Sequence, residues 1–116
     1  MTRVYKILKR AEWDAAVRAG RFEGAAIDLA DGYIHLSAAA QAQETARLHF
    51  RGQTDLVLVA LPAAALGAAL RWEASRGGAL FPHLYGPLDP ALAVEVRPLA
   101  LDGQGVPQLD LPEAGA

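Results

Sequence analysis

The spacing of apolar and polar positions changes several times along the chain, and each change marks an element. Val4-Tyr5-Lys6-Ile7-Leu8 is a β-type run that stops at the polar pair Lys9-Arg10. From Ala11 to Ala19 the period lengthens: Trp13, Ala16 and Val17 fall at i, i+3 and i+4, with Gly20 where a helix C′ residue would stand. A strand followed by a helix of two or three turns is expected. Residues 21–32 hold two glycines and three acids with no clear period, which predicts a connection over the surface. Asp31-Gly32 signals a turn into the strand-like Tyr33-Ile34-His35-Leu36.

Ser37 is a candidate helix cap, and Ala38 to Phe50 places Ala39, Ala42, Ala46 and Phe50 near one face of a helix that Gly52 would end. Leu56-Val57-Leu58-Val59-Ala60-Leu61 is apolar throughout and stopped by Pro62, the pattern of a central strand covered on both faces. The alanine-rich stretch 63–69 reads as one helical turn or a tight loop. Leu70-Arg71-Trp72-Glu73-Ala74 and Ala93-Val94-Glu95-Val96-Arg97 alternate as half-buried strands do. Between them, Phe81-Pro82-His83-Leu84-Tyr85-Gly86-Pro87 is barred from regular helix by its prolines and reads as a loop. One α+β domain over residues 1–101 follows, with five or six strands and two main helices. Residues 102–116, with three glycines, two prolines and few large apolar side chains, read as a loose tail carrying at most one edge strand.

Composition narrows the function classes. The chain has 116 residues and is 53% apolar, but 25 of its residues are alanine, so the large side chains suffice for one core and not two. Eleven basic residues against thirteen acidic ones provide no basic stripe for tracking phosphates, which excludes generic nucleic-acid binding. The absence of cysteine removes disulfides, thiolate metal sites and a cysteine nucleophile. No secretory h-region and no apolar stretch long enough to cross a membrane is present, and a cytoplasmic protein is expected.

The histidines are then the main groups able to titrate near neutral pH. His35 lies where a strand hands over to a helix, a junction that aims a side chain and backbone N–H groups at one space; a histidine bonded inside the core is the alternative. His83 sits among two aromatics, a proline and a glycine, in a segment that is either a binding surface or a rigid buried turn. His49, between Leu48 and Phe50, reads as a boundary residue. The histidine spacings match no metal motif, and no metal site is expected. Glu73 beside Trp72 suggests a carboxyl raised by desolvation, able to act as acid or base; pairing with Arg71 or Arg76 on an outward face is the alternative. Asp28 and Asp31 precede the His35 strand closely enough to orient it, although solvated turn aspartates are commoner. Serine-hydrolase, P-loop and Rossmann signatures are absent.

The segment Asp31-Gly32-Tyr33-Ile34-His35-Leu36-Ser37 with Gln41 four residues on, then DLVLVAL, RWE and FPHLYGPL, resembles the uncharacterised bacterial and plant family "domain of unknown function 952" over residues 3–98. That family looks like a compact member of the ADP-ribosyltransferase-like superfamily, whose split, mixed or antiparallel β-sheet cradles NAD. The His35-Leu36-Ser37 junction is also similar to one in the RNA 2′-phosphotransferases. The resemblance implies a cleft with His35, Glu73 and His83 as catalytic residues and Lys6, Ser37, Gln41, Trp72, Phe81 and Tyr85 as ligand-binding residues. In it His35 would hold a ribose, Tyr85 or Phe81 would stack a planar ring, and Glu73 would stabilise developing positive charge. Lys6 stands where many relatives have a histidine, and it would donate to a ribose hydroxyl or phosphate. Glu73 and Glu95 are both candidates for the superfamily's late-strand glutamate. The implied ligand is a small nucleotide-like or phosphate-bearing molecule, with NAD as a substrate and not a resident cofactor, and ADP-ribosyl or phosphate transfer as the reaction. A non-catalytic ligand sensor and a protein-interaction module built on the FPHLYG segment are the alternatives, with the oligomeric state left open.

Overall fold

A computed structural model of the chain describes residues 2–111. Along the sequence the elements are β1 (Arg3–Lys9), α1 (Arg10–Ala19), α2 (Ala26–Asp31), β2 (Ile34–His35), β3 (Ser37–Ala38), α3 (Ala39–His49), β4 (Leu56–Pro62), a 3-10 segment Ala63–Ala69, β5 (Leu70–Ala74), β6 (Leu80–Leu84), β7 (Glu95–Pro98), β8 (Ala100–Leu101) and β9 (Pro107–Gln108). They form one α+β domain.

The apolar run at 56–61 lies inside a four-stranded sheet of order β3-β1-β4-β7, where β1 covers one side of β4 from end to end, Arg3 opposite Pro62 and Lys9 opposite Leu56. Both faces of this sheet are covered, which is why β4 needs no polar alternation. On one face Val4, Leu8, Val57, Val59 and Leu61 pack with Trp13 and Ala16 of α1 and with Ile34 and Leu84. The last two belong to a second sheet, of order β2-β6-β5, so this cluster fills the space between the sheets. On the other face Tyr5, Ile7, Leu56, Leu58 and Ala60 receive Ala42 and Ala46 of α3. Every strand pairing among the described residues is antiparallel, so no mixed sheet is found.

Several expectations need correction. Val17 does not share the buried stripe of α1 and is 54% exposed; only Trp13 and Ala16 of that trio turn inward. The predicted surface connection holds α2, whose third residue Asp28 accepts from Ala25 N at 2.8 Å. Ser37 is a strand residue and does not cap α3. The cap position is Ala38, whose N–H donates to the Gln41 side chain at 2.9 Å. The prolines of 81–87 exclude helix, as read, but the segment begins as strand β6 and not as a loop. The part of the expected loose tail that is described is not loose: β8 and β9 form a hairpin, Gln43 of α3 bonds Pro107 O and Leu109 N, and Leu109 is 0% exposed in the α3 cluster. Residues 112–116 lie outside the described residues.

Candidate functional site

The outward face of the β2-β6-β5 sheet gathers most of the chemistry. Ile34 and Leu84 are opposite each other and point into the core. With a period of two, Tyr33 and His35 on one side and Phe81, His83 and Tyr85 on the other must then point outward. His35 pairs directly with His83, and Arg71 and Glu73 of β5 sit opposite His83 and Phe81 on the same face.

The rings are in contact. Tyr33 stacks on His83 with centroids 4.1 Å apart, lies tilted against His35 at 4.7 Å and meets Tyr85 at 5.3 Å. Two carboxylates hold His35: Nδ1 is 2.6 Å from Asp28 Oδ1 and Nε2 is 2.9 Å from Asp31 Oδ2. Both bonds form together only when each ring nitrogen carries a proton. His83 is buried, and its Nδ1 lies 2.9 Å from Glu73 Oε1, which also accepts from Tyr85 Oη at 2.7 Å. A proton on Nδ1 leaves Nε2 of a neutral His83 as an acceptor. The Arg71 guanidinium sits 5.0 Å from the Tyr85 ring centroid, within cation–π range.

Glu73 lies below the ordinary carboxylate value because Tyr85, then His83, donates to it. This reverses the expected upward shift. Neighbours in a strand face opposite ways, so Trp72 is on the other face from Glu73 and does not desolvate it. Burial, then Asp31 and Glu73, pushes the Tyr33 phenol up, and the bond to Glu73 pushes Tyr85 up.

Behind this face lies a buried polar thread. Lys6 Nζ donates to Asp28 Oδ1 at 3.1 Å, Asp28 Oδ2 at 2.9 Å and the His35 carbonyl at 3.0 Å. Burial pulls the lysine below its ordinary value against the attraction of Asp28. Burial acting alone would raise Asp28, but the charge of Lys6 and the bonds from Lys6 and His35 hold it below the usual carboxylate range. Asp28 is therefore no solvated turn residue: its Oδ1 also receives the His35 N–H at 3.0 Å.

Of the residues singled out in the sequence, His35, Glu73, His83 and Tyr85 come together, and Phe81 lies on the same face but buried. Lys6 spends its three donors in the core. Ser37 bonds Thr45 of α3 at 3.1 Å, and Gln41 joins Ala38 N to Leu80 O, so both serve the α3 junction. Trp72 lines a separate shallow groove with Leu70, Ala63 and Gly67. Glu95 lies on the edge strand of the other sheet, beside Arg3 and Arg97. Tyr33 and Arg71 were missed as site residues; the alternation Tyr33-Ile34-His35 was the signal that places Tyr33 beside the histidine. Tyr33 also borders a cleft of about 240 Å³ whose walls include Asp28, Gly32, Leu84 and Gly86. No cluster of three or more His, Asp or Glu arranged for a metal occurs among the described residues.

The model of one protein family, described as "Protein of unknown function (DUF952)", matches residues 7–96, which include the whole of this face. The chain belongs to that family. The DUF952 chain is similar to protein CC0527 from Caulobacter crescentus. Against its crystal structure the identity is 64%, with 92% of this chain and 94% of that chain covered and a TM-score of 0.91. Against its solution NMR structure the identity is again 64%, with 93% of each covered and a TM-score of 0.84. No curated protein matches at a significant level. Among the described residues of this DUF952 domain, no helix is long and apolar enough to cross a membrane.

Proposed function

We propose that the Tyr33-His35-His83-Tyr85 face binds the nicotinamide-ribose end of NAD or a closely related nucleoside ligand. The observation that carries this reading is the convergence of two histidines, Glu73 and two tyrosine rings, drawn from three strands and the turn before β2, on one side of a sheet. Three polar groups seldom meet this way in a plain core.

Charge selects among nucleotide parts. Asp31 and Glu73 flank the face, and Glu23, paired with Arg21 at 3.1 Å, borders its cleft, so a phosphate is better received near Arg71 than beside the two carboxylates. Ribose hydroxyls, which donate to carboxylates, and a cationic aromatic ring, which is attracted to tyrosine faces, suit this surface better. A cleft near 240 Å³ is below the usual 300 to 1,000 Å³ of ligand pockets and holds one ring rather than a dinucleotide, the remainder of which would lie over the open face. An ionised Glu73 would also stabilise positive charge developing on a ribose if its bond to the base broke, the step that ADP-ribosyl transfer requires. The ADP-ribosyltransferase-like resemblance points the same way. The interaction-module alternative is less favoured, because Phe81 and Leu84 are buried and Tyr85 is the exposed one of its three apolar anchors.

Isothermal titration calorimetry with NAD, nicotinamide riboside, ADP-ribose and nucleoside 2′-phosphates tests this. Saturable binding of the nicotinamide-bearing ligands is expected, and its loss in Tyr33→Ala and Glu73→Gln. Heat from none of them removes the reading. Nicotinamide release during incubation separates a transferase from a sensor.

A further inference from the structure

Strand β5 is an edge of its sheet: among the described residues it pairs with β6 and with no second strand. Pro82 determines which of its backbone groups face outward. The Pro82 carbonyl accepts from Leu36 N at 3.1 Å, on the β2 side of β6. The N–H and C=O of a strand residue point the same way and alternate along the strand, so Phe81 and His83 face β5. Their partners Glu73 and Arg71 face back toward β6. The bonds Tyr85 N to Ala69 O at 2.8 Å and Ser75 N to Ala79 O at 2.9 Å keep the same phase. The N–H and C=O groups of Trp72 and Ala74 and the Leu70 carbonyl are thus left aimed at the open edge, while the Leu70 N–H donates to the Gly67 carbonyl within the chain. Beside them Trp72 and Leu80 are 41% and 55% exposed.

We infer that this edge pairs with a second copy of the chain, β5 against β5, antiparallel, with Trp72 opposite Trp72. The residue order selects that register. The outward-facing groups of Trp72 then meet those of the other copy's Trp72, and the Ala74 N–H meets the Leu70 carbonyl. Arg71 of each copy lies opposite Glu73 of the other, at the positions where cross-strand side chains are closest. A shift of two residues in either direction brings Arg71 against Arg71 or Glu73 against Glu73, and a shift of one turns the faces over. Charges on an edge strand ordinarily discourage pairing; the order Arg-Trp-Glu discourages the neighbouring antiparallel registers and favours one. The assembly would join two three-stranded sheets and set Arg71 of one copy beside the Glu73 that bonds His83 in the other. It does not depend on which ligand the face binds.

Sedimentation velocity on the full chain tests this, with a species of twice 12.3 kDa expected as concentration rises. Trp72→Pro removes the central outward donor without touching a bond to β6, as edge strands tolerate; a monomer with an unchanged circular dichroism spectrum is expected. Arg71→Glu and Glu73→Arg should each be monomeric alone, and mixing the two should restore a dimer, because every cross-strand charge pair is then opposite. A wild-type chain that stays at 12.3 kDa at every concentration overturns the proposal, as does a dimer that survives in Arg71→Glu. Loss of the dimer in the single variants without recovery on mixing overturns the register.

Discussion

Lys6 Nζ and Asp28 Oδ2 face each other at 2.9 Å between the two sheets, with 8% and 1% of their side chains exposed. The same lysine reaches the His35 carbonyl, and the same carboxylate receives the His35 N–H and Nδ1. One buried ion pair therefore fixes both the backbone and the ring of a histidine on the outer face. A buried pair adds little over an apolar one, but losing one partner strands the other charge.

Lys6→Met leaves the Asp28 carboxylate without its cation and should destabilise the domain by about 3–5 kcal/mol in urea denaturation. Lys6→Met with Asp28→Asn removes both charges and keeps an acceptor for His35, so the double variant should be more stable than Lys6→Met alone. Equal stability of the two would mean that the charge of Asp28 is not what the lysine offsets.

Acid should expose the same carboxylate. The folded state holds Asp28 below its ordinary value of 3.8, so its ionisation contributes stability that is fully present above that pH and lost as the pH falls through the lower folded value. The wild-type chain should lose more stability than Asp28→Asn between pH 4 and pH 2, measured as the shift in urea midpoint. Parallel curves would refute the assignment.

Tyr85→Phe removes the largest of the influences that lower Glu73. The Glu73 carboxyl should then move up toward its ordinary value of 4.5, followed by the side-chain carbonyl carbon in an NMR titration. An unmoved titration would show that His83 and Arg71 hold Glu73 down without the phenol.

Leu109→Ala opens a cavity under α3 and should cost roughly 2–5 kcal/mol, in the range of buried leucine truncations. A near-neutral effect would return residues 102–111 to the standing of a tail.

Much of the frame was legible in the sequence, because β1 and β4 show their burial directly in their patterns, whereas β5 was legible as a strand but not in its burial, with Trp72 exposed and Glu73 half-buried. The edges were less so. β8 and β9 are two residues each and carry no period to detect, and Leu109 is one leucine in a stretch rich in glycine and proline. In the site, His35 and Glu73 were legible at strand positions, whereas His83 and Tyr85 stood out in what read as a loop and lie in β6 and just past its end. The failures were of facing: Trp72 adjoins Glu73 in sequence yet faces away from it, and Lys6 and Ser37 are on the other sheet, turned toward the core and toward α3. Asp28 was read as a turn residue because its partner Lys6 is 22 positions away and no local pattern joins them.

Pro82 also indexes the second sheet. Its missing N–H lies on the β2 side of β6, opposite Leu36 just past the end of β2, where the single bond from Leu36 N to the Pro82 carbonyl closes the pairing. One residue out of phase, the ring would face β5, which runs alongside β6 from Leu80 to Leu84, and would break that ladder at its middle. The same slip would turn His83 into the interior and Leu84 into water. A single imino acid thus penalises the misfolded alternative in which the histidine and tyrosine rings of this sheet exchange sides with its leucines.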